Sequence, residues 1–192
     1  IKLDILDSKN KVKYSNQGEM KFTSYGISGP IVLSGSRFID YKDTYSISID
    51  LKPSLDEKEL DLRIQKDFKK YINKDFRNSL DDLLPQKMIP LIIKLSMIDP
   101  YKKVNEITKV ERKNLVNAIK NIKGKVKGLR PLAEAIVTSG GVSTLEIDPS
   151  TMKSKIINNL SFAGEVIDVD AFTGGYNVQI ALSTGYLAGK YL

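Results

Sequence analysis

The stretch LSFAGEVIDVDAFTGGYNVQIALSTGYLAG, residues 160–189, decides how this chain is read. A short apolar run, residues 160–163, ends at Gly164 and Glu165 and predicts a strand over about 160–164. A loop then leads to Gly174 and Gly175, and a helix is expected from about 177 to 190. Apolar strand, glycine loop and helix in that order make the repeating unit of an α/β sheet, where ligands sit beyond the carboxyl ends of the strands. Two adjacent glycines allow positive φ, or a close approach of backbone to a ligand. The helix that follows begins with free N–H groups and the positive end of its dipole, suited to an anion or an electron-rich atom. Ala181, Gly185 and Ala188 or Gly189 share one face at helical spacing, a surface able to press onto a sheet or a cofactor. Taken singly, each feature is also what packing and turn geometry produce, and Glu165 alone is an ordinary solvated carboxylate. The combined string is far more specific.

The stretch belongs to a region, residues 131–192, in which charge thins out and Gly, Ala, Ser and Thr accumulate. Ala135, Ile136 and Val137 form a second short apolar run, predicting a strand over about 135–138 that ends in Ser139, Gly140, Gly141 and Val142. Residues 53–128 read as helices. Ser54 and Glu57 have the spacing of a capping box, and Leu60, Ile64, Phe68, Tyr71 and Ile72 form one apolar stripe. A helical stretch over about 76–84 is expected to stop at Pro85, and the almost wholly apolar run 88–98 to be buried, with Pro90 kinking it or marking its first turn. Thr108 and Glu111 repeat the capping-box spacing, Leu115, Ile119 and Ile122 supply a buried face, and Gly124 is placed to end that helix. Residues 1–52 read mainly as strands. Leu3 and Ile5 alternate with polar neighbours, Lys9 and Asn10 suit a turn, a strand follows near 12–14, and Tyr45, Ile47, Ile49 and Leu51 alternate with Ser46, Ser48 and Asp50. Between them Pro30 suits the first turn of a helix capped by Ser28 or Gly29.

The 192 residues contain no Cys and no His. A redox dithiol, a thiolate nucleophile, a Ser-His-Asp triad and a zinc site with imidazole or thiolate ligands are excluded within them. Redox chemistry would need a bound cofactor, no metal site is expected, and any proton donor must be Tyr, Lys, Asp, Glu or water. No run approaches the roughly 20 apolar residues of a membrane span, so no membrane partner is expected. The absence of Cys and of an export signal points to the cytoplasm, and Ile1 in place of Met suggests a start inside a longer protein. The net charge of +7 raises the question of nucleic acid, but only 5 of the 30 basic residues are Arg, the side chain that reads bases and clamps phosphates. The charge is therefore read as solvated surface lysine, with no nucleic-acid partner; the densest cluster is Lys120, Lys123, Lys125, Lys127 and Arg130.

The string from Phe162 to Asp170 followed by Gly174-Gly-Tyr-Asn-Val-Gln179 resembles the C-terminal signature of the BaiN/aminoacetone oxidase-like FAD-binding family. So do residues 135–142, residues 146–152 and Ser154-Lys155, while Tyr25-Gly-Ile-Ser-Gly-Pro30 resembles a segment of that family's inserted middle domain. The likeness spans nearly the whole chain. It implies an α+β and α/β architecture, with an inserted β-plus-helical domain over 1–130 (strands 1–52, helices 53–128). The C-terminal part of a Rossmann-like FAD-binding domain would follow over 131–192. Family members open with a Gly-x-Gly-x-x-Gly unit that holds the ADP half of FAD, and no such string occurs here. The resemblance therefore implies that the N-terminal βαβ half of the FAD domain is missing and is this chain's partner. This part alone would bind FAD weakly and be inactive.

By the same resemblance, Gly164 and Glu165 correspond to the strand-end pair that approaches the ribityl chain, with Glu in place of the commoner Asp. Gly174, Gly175, Tyr176, Asn177 and Val178 would set backbone N–H groups at the pyrimidine edge of the isoalloxazine, and Ser139, Gly140, Gly141 and Val142 would form a second loop along the ring. Asp168 and Asp170 either contact substrate or hold the loop. The intact protein would pass hydride between NAD(P)H, FAD and a small organic substrate of the enone or amine class. Two other readings stand beside it: a basic nucleic-acid-binding module, with residues 121–130 gripping phosphates, and a structural domain without a ligand.

Overall fold

The computed structural model describes residues 1–40 and 42–192. In chain order the elements are strands β1 (Lys2–Leu6), β2 (Val12–Gln17), β3 (Lys21–Thr23) and β4 (Gly26–Ser28), helix α1 (Pro30–Ser36), strand β5 (Ser46–Asp50), helices α2 (Glu57–Lys70), α3 (Ile89–Ser96) and α4 (Lys109–Lys120), strand β6 (Ile122–Lys125) and helix α5 (Tyr176–Lys190). They divide into two compact units, the first of residues 1–18 and 43–126, the second of residues 19–42 and 127–192.

The first unit is a four-stranded antiparallel sheet, ordered β2-β1-β5-β6, with helices α2, α3 and α4. Its register follows from alternation. Leu3 faces Ile49, Ile5 faces Ile47 and Tyr14, and Ile49 faces Ile122, so one face of the sheet is apolar. The reversal at Lys9 and Asn10 is tied by Asp7, whose Oδ1 accepts from Lys9 N and Lys11 N at 2.9 Å each. Leu60, Ile64, Phe76, Ile92, Leu115 and Ile119 are buried among the helices, with Phe68 set edge-on to Phe76 at 6.3 Å. Across this layer Arg112 of α4 pairs with Asp61 of α2 at 2.5 Å, and Lys120 pairs with Asp50 of β5 at 2.6 Å. Lys120, a member of the basic cluster, is thus committed to joining helix to sheet.

Several expectations for this unit are corrected. The box at the start of α2 is Asp56 with Glu59, not Ser54 with Glu57, because Leu55 N–H bonds Lys52 O and holds Ser54 inside a turn. The box of Thr108 and Glu111 forms as the spacing predicts. Residues 76–84 hold only a short 3-10 turn, Phe76–Asn78, since Phe76 N and Arg77 N donate to Lys102 O and Pro100 O rather than to a helix. The apolar run 88–98 yields α3 with Pro90 in its first turn. Ile89 and Ile92 are buried, but Leu91 and Leu95 are not. Gly124 does not end a helix. Residues 122–125 pair with β5, and a Cβ on Gly124 would sit 3.2 Å from the Ile47 side chain.

In the second unit β3 and β4 form a hairpin, and α1 starts at Pro30 with Gly29 as its N-cap. Residues 127–192 consist mainly of turns before α5. The strands expected over 135–138 and 160–164 do not form. Residues 132–134 and 164–166 are single 3-10 turns, and Ser161 makes only an isolated bridge with Lys153. A strand exists through its ladder partner, and neither run lies beside one among the described residues, so Ile136 stays 72% exposed. The small satellite core here is Ile147, Met152 and Ile167, with Val142, Phe162, Leu187 and Ala188 packed against it.

The units differ in charge. The first carries 22 Lys and Arg against 15 Asp and Glu, the second 8 against 8, so the whole excess of +7 resides in the first. Among the described residues no helix is long and apolar enough to cross a membrane.

Two outcomes follow for the first unit. Ile119→Ala, at a fully buried position, should lower stability in urea unfolding by about 2–5 kcal/mol. Glu111 accepts from Lys102 Nζ at 2.7 Å and from Thr108 N at 2.7 Å, which lowers its pKa from 4.5 to about 2. A lowered folded-state pKa stabilises fully above the ordinary value, and that contribution disappears as pH falls through the lowered one. Thermal melting between pH 4.5 and about pH 2 should therefore be flatter for Glu111→Gln than for the parent.

Candidate cofactor site

Three loops singled out in the sequence are joined by hydrogen bonds in the second unit. The first joint is backbone on backbone. Val142 forms a parallel bridge with Ile167, Val142 N donating to Val166 O at 2.8 Å and Asp168 N donating to Val142 O at 2.9 Å. Gly141 makes this approach possible: a Cβ there would lie 2.4 Å from Val166 O, and its φ is +147°. Ser139 and Gly140 lead into the joint from an exposed loop.

The second joint belongs to Glu165. Its Oε1 accepts from Thr138 N at 2.8 Å and from Thr138 Oγ1 at 3.0 Å. The Thr138 backbone N–H, with the hydroxyl second, holds the carboxyl below the ordinary glutamate range. Neither bond uses Oε2. Next to it, Gly164 N donates to Thr184 Oγ1 at 3.0 Å, so the start of the turn is fastened to the middle of α5.

The third joint shapes the glycine turn. The Asn177 side chain accepts from Ala171 N through Oδ1 at 2.8 Å and donates to Ala171 O through Nδ2 at 2.9 Å. Gly175 caps α5 in the left-handed region, φ +88°, with no atom within 4 Å of where a Cβ would stand. No side chain caps this helix, so the N–H groups of Tyr176, Asn177 and Val178 have no intrahelical acceptor. Tyr176 and Val178 are exposed beside the turn.

The loops present groups that can donate to an electron-rich atom and accept from a hydroxyl. They offer uncapped N–H donors at a helix start, a glycine turn free of side chain, and a carboxylate oxygen left over to accept. The expected small face of α5 is corrected: Ala181, Thr184, Leu187 and Ala188 turn inward, and Gly185 lies open with nothing within 4 Å of a Cβ. Thr138, Thr184, the Asn177 side chain and Arg37, which pairs with Asp170 at 3.0 Å, were not foreseen as parts of the site. Only Thr184 left a trace in the sequence, one turn of helix after Ala181. Of the two acids left open, Asp170 is engaged with Arg37, and Asp168 contributes its backbone N–H to the first joint.

Residues 1–137 match the family model described as the HI0933-like protein barrel and H2TH domain, a range that takes in the sheet and helices of the first unit. The chain belongs to this HI0933-like family, the group of BaiN/aminoacetone oxidase-like FAD-dependent oxidoreductases that its motifs resemble. It is 32% identical to the 3-dehydro-bile acid delta(4,6)-reductase of Clostridium scindens, over 94% of this chain and 45% of that protein. It is 37% identical to the ribosomal RNA dihydrouridine synthase of Haemophilus influenzae, over 88% of this chain and 40% of that protein. The protein of the same name from Escherichia coli is 29% identical over 89% of this chain and 41% of its own length. The chain thus spans less than half the length of these relatives.

The first joint predicts unequal tolerance among the glycines. Gly141→Ala should destabilise the second unit strongly, since backbone of Val166–Asp168 fills the space its methyl group needs. Gly185→Ala should be neutral or stabilising by up to about 1 kcal/mol, as expected at an open helical position. Hydrogen exchange at the Val142 and Asp168 amides would read the difference directly.

Proposed function

We propose that this chain is the middle domain and returning C-terminal part of an FAD-dependent oxidoreductase that saturates a carbon–carbon double bond conjugated to a carbonyl. The observation that carries the reading is the chemistry shared by the two kinds of relative. A delta(4,6)-reductase of a 3-dehydro bile acid and a dihydrouridine synthase both add hydrogen across a C=C in conjugation with C=O. That favours the enone class over the amine class.

In this reading residues 131–192 complete a Rossmann-like FAD domain whose first βαβ unit lies in another part of the protein. FAD, when bound, would supply the hydride, with NAD(P)H as its source. The first-turn N–H groups of Tyr176, Asn177 and Val178 would donate to the flavin, stabilising the negative charge that collects on reduction. Glu165, held by Thr138 through Oε1, keeps Oε2 for a ribityl hydroxyl. The loop Ser139, Gly140, Gly141 and Val142 would also contribute to holding the flavin. With no His in these residues, a proton delivered from this half comes from Tyr, Lys, Asp, Glu or water.

One observation favours a second reading of the acceptor as uridine within RNA. The chain's whole excess of positive charge sits in the first unit, a distribution that would attract a polyanion. Turnover on RNA that falls steeply with salt would support it; turnover only on a small enone would exclude it.

The full-length protein should purify yellow, bleach anaerobically with NAD(P)H and recover its colour on adding an enone. Gly175→Val, which forces a branched residue to φ +88°, should abolish flavin incorporation. Glu165→Ala should weaken FAD about tenfold to a hundredfold, the loss of a hydrogen bond to a charged acceptor. A colourless full-length protein, or full flavin occupancy in Gly175→Val, would overturn the reading or the site assignment respectively.

A further inference from the structure

Arg37 caps the C-terminal end of α1, far in sequence from the glycine turn. Its Nε stands 3.0 Å from Asp170 Oδ2, and the Asp170 side chain is only 16% exposed. Asp170 lies between two other anchors. On one side Asp168 N bonds Val142 O at 2.9 Å, and on the other Ala171 is gripped at both its N–H and its C=O by Asn177, in the first turn of α5. Residues 168–171 are therefore held by three contacts of different kinds, and the chain passes from them directly into Gly174 and Gly175. A largely buried carboxylate that loses its cation must protonate, seek water or move. Protonation removes the ionic anchor, and movement of the side chain shifts the segment on which the turn depends. Residues 19–42 keep a separate attachment within the same unit, because Arg130 stacks on Tyr25 at 4.4 Å and pairs with Glu134. Loss of the Arg37 contact alone should therefore disturb the turn without releasing the segment.

We infer that Arg37 is a positioning residue for the cofactor turn, acting through Asp170. The segment 19–42 thereby helps set how tightly flavin is held and how easily it is reduced. The inference rests on the flavoprotein reading. Arg37 need not touch the cofactor: it fixes the carboxylate, the carboxylate fixes Ala171, and the N–H groups at the start of α5 are set in turn.

The test uses the full-length protein with FAD, in the variants Arg37→Gln, Arg37→Lys, Asp170→Asn and the double variant Arg37→Gln with Asp170→Asn. Arg37→Gln should weaken FAD at least tenfold and shift its reduction potential. Arg37→Lys, keeping a cation, should recover most of the affinity. Asp170→Asn should move both quantities in the same direction as Arg37→Gln. The double variant should be no worse than the poorer single one, as for residues acting in one chain of contacts. If Arg37→Gln does not fold, Arg37→Lys and Asp170→Asn carry the test, and unchanged affinity and potential in both overturns the inference. A lower melting temperature with unchanged flavin affinity and potential also overturns it, since a purely structural pair would give that result. Wild-type protein without flavin would overturn the flavoprotein reading and this inference together, whereas flavin-loaded variants indistinguishable from wild type would overturn the inference alone.

Discussion

The candidate site depends on backbone meeting backbone at Gly141. The carbonyl of Val166 occupies the space where any other residue would carry its Cβ. This contact lets Val142 bridge Ile167, and Ile167 seals the satellite core with Ile147 and Met152. From it the neighbouring groups take their places. Glu165 comes within reach of Thr138, Asp168 is fixed by its amide, and the chain is aimed at the turn that opens α5. Buried area is small here, and the order comes from hydrogen bonds and from the absence of a methyl group.

The first unit is built differently. Its sheet and three helices bury aliphatic and aromatic side chains, and polar groups pair across elements in Arg112 with Asp61 and Lys120 with Asp50. Such a body tolerates a surface rich in lysine, because the core supplies most of the stability. The second unit has an equal count of opposite charges and fewer apolar contacts, and spends its polar groups on shaping loops. One unit is thus ordered mainly by its buried side chains and the other mainly by hydrogen bonds among its loops.

How much of this could be read from the sequence varied with the range of the forces involved. Local rules held at several local determinants, though not at Ser54 and Glu57, where the box sits two residues later. The alternation through Ile47 and Ile49 gave a strand, Thr108 and Glu111 gave a capping box, and the paired glycines 174 and 175 marked the start of α5. Readings failed where the outcome depends on a distant partner. The apolar run at 135–137 has strand composition but no ladder beside it, and Gly124 looked like a helix stop until Ile47 of a neighbouring strand claimed its backbone. In the candidate site the glycines and Glu165 drew notice only through the combined string 160–189 and the family it resembles, each being ordinary on its own. Arg37 was not, because nothing near it in sequence indicates that Asp170 lies across from it.

The grip of Asn177 on Ala171 bears on the chemical ageing of the turn. An amide serves there because one end must donate and the other accept. Hydrolysis of that amide to aspartate would replace the donor with a second acceptor, set against the Ala171 carbonyl, and would place a negative charge beside the uncapped N–H groups that a ligand would otherwise meet. The same two hydrogen bonds hinder the reaction, since they keep the side-chain carbonyl from swinging toward the following backbone nitrogen. The integrity of the turn over time therefore depends on its being folded, and molecules that unfold often would be the first to lose it.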